Sequence, residues 1–440
     1  MIASSSSEAV GHRSAIAFVN ARIIDPATDY DGPGSVIVAE GVIADVILGN
    51  AAPSGHAGIR VIDCDENALM PGLIDMRVKT GEPGHEPAET LKSASLAAAA
   101  GGVTSFVVQP DTDPAIDEPA MVDFILRRAR DIELVHVYPA GAATKGLRGD
   151  RMAEIGLMSQ AGALYFTDVE NPIVNSKILR RILSYANGFN ALIAHRPKEP
   201  WLSDGAVATE GEMAARMGLS GVPALSERIM MERDLALVEL TGARFLVDQV
   251  STREGLISLE RAKAKELEVY ASVSINHLMF NEIDIGDYRT FYRLDPPLRA
   301  ERDRLALIDA LAQGVIDIVV SNHSPAPAED KRLPFSEATP GAIGLQTLLP
   351  ALIGLHLEND IPLIDLLRAV TINPAQLLGL DAGRISRGAP ADLILVDVEA
   401  PFALREKDIL SKSKNSPFEN RTLQGKVLKT LVDGRLVYEA

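Results

Sequence analysis

Apolar positions along the middle of the chain come in short runs that recur at near-regular intervals. Runs of strand length fall at 72–78, 103–108, 134–138, 163–167, 191–195, 244–250, 268–275 and 315–321. Between them lie stretches of helical length and composition, among them 87–100, 118–130, 175–185, 226–240, 252–265 and 301–313. Several of the strand runs lack polar alternation, as expected where both faces of a parallel sheet are covered. Eight strands alternating with helices predict a (β/α)8 barrel. A doubly wound sheet is the competing architecture, but no Gly-x-Gly-x-x-Gly follows the first strand. The two ends read differently. Segments 15–24 and 35–46 are β-branched runs broken by turn residues, 391–396 is an apolar strand, and 427–438 reads as a hairpin turning at Asp433-Gly434. The expected division is 1–70 as the N-terminal part of a β-domain, 71–380 as the barrel, and 381–440 as the C-terminal part of the same β-domain. The first dozen residues, with their serine run, are expected to be a flexible tail.

Composition narrows the function classes. The 440 residues carry 43 Lys+Arg against 60 Asp+Glu, a formal charge of −17, with 47% hydrophobic residues. That balance argues against nucleic acid or an anionic membrane as the main partner. No run reaches the length of a membrane helix, and the N-terminus lacks a basic and an apolar region. A cytoplasmic location is the expectation. The single cysteine, Cys64, excludes an internal disulfide and a cysteine-rich zinc site, and is read as a small residue near a strand end rather than a nucleophile.

In a barrel the chemistry gathers at the C-terminal ends of the strands. Those ends carry Arg77 and Lys79, Gln109 with Asp111, Asp168, His195, Gln249, Asn276 with His277, and Asn322 with His323. Polar strand ends near water explain single cases. Three histidines each closing a separate apolar strand are harder to explain that way.

Met70-Pro71-Gly72-Leu73-Ile74-Asp75 followed by Gly81-Glu82-Pro83-Gly84-His85-Glu86 resembles the first-strand signature of the cyclic amidohydrolases, and within them the dihydroorotase family. The resemblance continues through 97–106, Glu210-Gly211, Gly221-Val222-Pro223, Glu227, Arg233-Asp234, Pro296-Pro297-Leu298-Arg299, Asp303-Arg304, Gly314-Val315-Ile316-Asp317, Asn373-Pro374-Ala375, Gly383-Arg384-Ile385, Ala391-Asp392 and the segment 411–418. It implies an α/β fold, a TIM-like amidohydrolase barrel with a small composite β-sandwich domain built from both chain ends. It also implies zinc-assisted, reversible closure of N-carbamoyl-L-aspartate to dihydroorotate.

Several positions depart from the family pattern. The family's His-x-His after strand one falls on Arg77-Val78-Lys79, both cationic and without a lone pair to offer a metal. Asp168 and His195 are retained. The histidine after strand six falls on Gln249, and the catalytic aspartate before the histidine of strand eight on Asn322, a carboxamide in the place of the base. The arginine and asparagine implied for the substrate carboxylate are Gly81 and Asp111, and a further asparagine is Asp295. The expectation is therefore a degenerate pocket: no metal at Arg77, Lys79, Asp168, His195 and Gln249, no catalytic base at Asn322, and no substrate contacts at Gly81, Asp111 and Asp295. Asp168 is expected to be salt-bridged to Arg77 or Lys79, and the exchange of an arginine and an asparagine for Gly81 and Asp111 to make the pocket unfavourable for a dicarboxylate. The resemblance then implies a non-catalytic, oligomeric subunit, homo- or hetero-oligomeric, partnered with the aspartate transcarbamoylase catalytic chain and needing no cofactor. The alternative is an active cyclic amidohydrolase with a rebuilt site, holding zinc through Asp168, His195 and a shifted ligand such as His277, His323 or His85.

Overall fold

The computed structural model describes residues 15–50 and 59–440. The serine-rich tail lies outside them. The parallel strands expected from the apolar runs form a ring in sequence order. They are Leu73–Val78, Val103–Val108, His136–Pro139 continued by Gly141–Ala142, Phe166–Thr167, Ile193–His195, Phe245–Val247, Val269–Ser274 and Ile318–Val320. Neighbours pair in parallel through two sheets of three and six strands. Main-chain contacts join those sheets: Ala140 N–H donates to Val108 O at 2.9 Å, and Lys79 N–H to His323 O at 2.9 Å. A parallel bridge between Val78 and His323 closes the barrel.

Two apolar layers follow from the two-residue period of a strand. One cluster fills the barrel interior, with Met76, Val107, Tyr165, Ala194, Leu246, Ile318 and Val320. The other joins the outward residues Phe106, Val108, Phe166, Ile193, Phe245 and Val247 to the surrounding helices. Those helices start where capping residues permit. Thr90 and Ser93 form a reciprocal capping box before Leu91–Ala100, Asn175 caps Ser176–Asn187, and Thr252 caps Arg253–Ala264.

Both chain ends meet in one eight-stranded sheet. Ala68–Pro71, just before the first barrel strand, pairs antiparallel with Leu393–Ala403 on one side and parallel with Ile16–Asp25 on the other. Phe18, Ile23, Val36, Val38, Leu69, Leu393, Leu395 and Leu431 give this sheet its own core. Cys64 follows a strand here as expected, and burial pushes its thiol up to about 12, which leaves it inert as a nucleophile. Among the described residues no helix is long and apolar enough to cross a membrane.

The end of the first barrel helix sets a close approach. A methyl group at Gly101 would stand 2.0 Å from the Leu345 carbonyl oxygen, in the segment after strand eight. We expect Gly101→Ala to destabilise the fold by about 1–3 kcal/mol, the usual cost of overpacking against backbone. A urea midpoint equal to that of the parent chain would contradict this contact.

Candidate active site at the barrel mouth

Strand one delivers two cations to the mouth. Its register against strand two shifts between Asp75 and Val78, so the pairing is irregular at Arg77. The Arg77 side chain is 2% exposed. Its Nε donates to Asn322 Oδ1 at 3.0 Å and its Nη2 to Glu170 Oε1 at 2.9 Å, while Nη1 is paired with Asp248 Oδ2. Lys79 Nζ sits 2.7 Å from Asp111 Oδ2 and 2.8 Å from Glu170 Oε2. The Gln249 carboxamide lies against the Arg77 guanidinium and is in hydrogen-bond contact with Asn322 at 2.9 Å. Gln249 and Asn322 both take left-handed backbone conformations, with φ of 59° and 52°.

Burial by itself pushes the Glu170 carboxyl up, but Lys79 and Arg77 outweigh it and hold Glu170 well below the usual carboxylate range. A second ion-pair group closes the adjacent side. Asp295 is bound by Arg196 and by Lys198, the latter at 3.0 Å, and these cations overcome its desolvation and hold it far below its ordinary value. The mouth thus sets the cations Arg77, Lys79, Arg196 and Lys198 against the carboxylates of Glu170, Asp248, Asp111 and Asp295. Gly81 and Asp111 were expected to make the pocket unfavourable for a dicarboxylate. Asp111 and Asp295 are each neutralised by adjacent cations.

The expected ion pair of Asp168 with Arg77 or Lys79 is not formed. Asp168 accepts the Thr144 backbone N–H at 2.8 Å and the Thr144 hydroxyl. Burial raises its carboxyl above the ordinary value, against the pull of those hydrogen bonds. The reason is competition: Glu170 and Asp248 reach the cations first. Neither was singled out in the sequence, although each lies within two residues of a position that was, Asp168 and Gln249.

His195 is buried, with Nδ1 2.6 Å from Asp234 Oδ2 and Nε2 accepting the Ile173 N–H at 2.8 Å. Asp234 is in turn held by Arg233 Nε at 2.7 Å. His277 is pushed down to about 4 by burial and by Arg299, and its Nε2 meets Pro297 O at 3.2 Å, so it is a neutral donor. His323 Nδ1 accepts the Gly344 N–H at 3.2 Å, and its Nε2 faces Glu89 at 3.5 Å. His85 is exposed on the pocket wall. The strand-end histidines therefore do not converge. Glu227 clamps the loop after strand six, accepting from Ser251 N at 3.1 Å and Thr252 N at 3.0 Å. Arg299 Nε reaches Ser251 Oγ at 3.1 Å behind it. Asn276 stands apart, buried, with no protein partner for either amide atom among the described residues. Gly81 has φ +67°, and a Cβ there would lie 2.5 Å from His85 O. The pocket above this layer has a cavity volume of about 590 Å³ and is lined by Lys79, Asp111, Glu170, Asp295 and Asn322 among others.

A barrel of this topology, fused to a sheet from both chain ends and bearing an acid- and histidine-containing mouth, is that of an amidohydrolase. Residues 253–437 match the amidohydrolase family profile, and residues 66–255 the dihydro-orotase-like one. Dihydroorotase of Anaplasma phagocytophilum (strain HZ) is 37% identical over 428 residues, covering 97% of this chain and 95% of that one. Dihydroorotase of Ehrlichia canis (strain Jake) is 37% identical over 429 residues, with 97% and 95% covered. The chain belongs to the dihydroorotase-like amidohydrolases. Among solved structures, L-hydantoinase from Arthrobacter aurescens superposes with a TM-score of 0.85 at 23% identity, covering 96% of each chain. Dihydropyrimidinase from Brevibacillus agri NCHU1002 gives 0.83 at 19% identity over 97% and 95%. These two establish the shared fold.

Amidohydrolases typically use zinc, so the expectation that no cofactor is needed finds no support in the family. The donor set at this mouth is a separate matter, and it does not fit a metal. A guanidinium and an ammonium occupy the positions after strand one. The Nε2 lone pair of His195 is taken by a backbone N–H, and both oxygens of Asp168 are engaged by Thr144.

Two outcomes follow for the ion pairs. Arg77→Met leaves Asp248 and Glu170 without their shared cation and is expected to cost about 3–5 kcal/mol, read from urea unfolding at neutral pH. Glu170 has a depressed folded-state pKa. Its contribution to stability is full above the unfolded value of about 4.3 and is lost as pH falls below it. The stability gap between the parent chain and Glu170→Gln should therefore shrink on acidification below about pH 4.3. A gap independent of pH would show that Glu170 is not held by these cations.

Proposed function

We propose that this protein is a dihydroorotase-family chain in pyrimidine biosynthesis whose barrel mouth is closed by ion pairs in place of a metal, and which serves as a structural rather than catalytic subunit. The observation that carries the reading is the buried Arg77 guanidinium, bound by Asp248, Glu170 and Asn322 where the family places its metal-binding histidines. Asn322 adds to it: a carboxamide takes no proton at neutral pH. The partner proposed is the aspartate transcarbamoylase catalytic chain, on family resemblance. Trp201, 74% exposed, and Leu202 on one short helix, with Leu225 and Ile229 on the neighbouring one, offer an apolar surface of the kind a stable partner covers.

The relatives support the other reading. Both are called Dihydroorotase, and the likeness spans nearly the whole chain. On that reading the protein interconverts N-carbamoyl-L-aspartate and dihydroorotate in a rebuilt site, and the comparisons favour it over the non-catalytic one.

One assay separates the two. The purified protein, in zinc-supplemented buffer, is given dihydroorotate at neutral pH and N-carbamoyl-L-aspartate at acid pH. The proposal expects no turnover above the buffer rate in either direction. Turnover abolished by Asp168→Asn would establish the catalytic reading instead. For the partner, mixing with the transcarbamoylase catalytic chain should yield a larger species by light scattering, weakened by Trp201→Ser. Unchanged masses would remove that assignment.

A further inference from the structure

Away from the mouth, at the seam between the barrel and the composite β-domain, one histidine and two aspartates meet. His136 opens barrel strand three, Asp392 precedes the strand Leu393–Ala403, and Asp433 sits in the hairpin turn between Thr422–Val432 and Arg435–Glu439. His136 Nε2 is 3.1 Å from Asp392 Oδ2 and 3.7 Å from Asp433 Oδ1. One ligand atom from each lies within 4.8 Å of the others, and this is the one such group of three among the described residues. A tetrahedral zinc with donors at about 2.0–2.1 Å spaces them about 3.3–3.4 Å apart. The two separations from His136 bracket that figure, and the third lies within 4.8 Å.

The arrangement is also braced. Asp392 Oδ1 accepts the Asp433 backbone N–H at 2.8 Å, which leaves Oδ2 turned to the imidazole. Gly434 N–H donates to Ala391 O at 3.0 Å, fixing the hairpin turn on the segment that carries Asp392. Gly72 N–H donates to Asp392 O at 2.9 Å, tying that segment to the start of the first barrel strand. His136 is held in the parallel pairing of strands two and three, opposite Ser105. Three ligand-bearing segments, distant in sequence, are thus located by main-chain bonds and by the Asp392 oxygen that does not face the imidazole. Such outer support is what orients metal ligands. Asp392 is 4% exposed, His136 28% and Asp433 40%, so the fourth position opens to water.

We propose that His136, Asp392 and Asp433 bind a divalent transition cation, zinc by the nitrogen and oxygen donor set, and that the ion staples the barrel to the β-domain. The Arg435 guanidinium, 3.6 Å from Glu133, is the nearby cation that opposes it, and Glu133 offsets that charge. The proposal is independent of the reading of the barrel mouth. It would stand whether or not the protein turns over dihydroorotate.

The test is calorimetric titration of chelator-treated, full-length protein with zinc chloride, repeated on His136→Gln and Asp433→Asn. One equivalent is expected to bind, with affinity reduced about 100-fold or more in each variant, at least the loss seen when a supporting residue is removed. The thermal midpoint of the parent chain should rise with added zinc, and that of His136→Gln should not. Circular dichroism of both variants without metal confirms that they fold. No saturable binding up to millimolar zinc, or one equivalent bound equally well by folded variants, would overturn the assignment. Equal binding in the variants would place the ion at another site, the barrel mouth included.

Discussion

A guanidinium taken out of water requires its charge to be answered nearby, and the mouth of this barrel is arranged around that requirement for Arg77. Its donors are shared between two carboxylates and one amide oxygen, from the ends of three other strands. The geometry suits arginine in particular, whose planar fork satisfies several acceptors at once. Lys79, two residues on, shares Glu170, so the two cations from one strand are cross-linked by a single acid from across the ring. The neutral side chains of Gln249 and Asn322 fit the same logic. Each supplies dipolar contact to the guanidinium without a proton to exchange.

Around that centre, Asp234 holds His195, Thr144 holds Asp168, and Glu227 with Arg299 fixes the loop after strand six. These contacts satisfy buried polar groups that would otherwise be costly. A chain can thus be 37% identical to a relative over nearly its whole length and carry the cations Arg77 and Lys79 where the resemblance implies imidazoles.

The barrel was legible because its strands are apolar runs separated by amphipathic helices, and 103–108 reappears unchanged as Val103–Val108. Lengths were less legible. The run 244–250 contracts to Phe245–Val247, because Gln249 adopts a left-handed conformation that ends the pairing. The break expected within 35–46 falls at Glu40 and Gly41, which both take positive φ and turn the chain back between two strands. In the site, Arg77, Lys79, Asp168, His195, Gln249 and Asn322 could be located at strand ends, and Gly81 and Asp295 only through the family resemblance, but the pairing of these side chains could not be read. Glu170 lies in the segment after strand four, outside helix and strand, and no periodicity forecasts where it turns. A charge argument would have found it. Two cations on one strand end need acids from facing strand ends, and Glu170 and Asp248 are the acids next to the positions already marked.

The same charge balance bears on what the pocket can hold. A dicarboxylate entering it finds Arg77 and Lys79 committed to Glu170, Asp248 and Asp111, and Lys198 committed to Asp295. To gain a cation it must displace a carboxylate that is fixed to the backbone and already desolvated, an exchange with little net electrostatic return. The position where the family implies an arginine offers no relief. Gly81 is held at φ +67° with the His85 carbonyl oxygen 2.5 Å from where a Cβ would stand. Restoring that arginine would require the segment from Gly81 to His85 to refold, not merely a longer side chain. On the non-catalytic reading proposed above, weak anion recognition would have a backbone cause as well as a side-chain one.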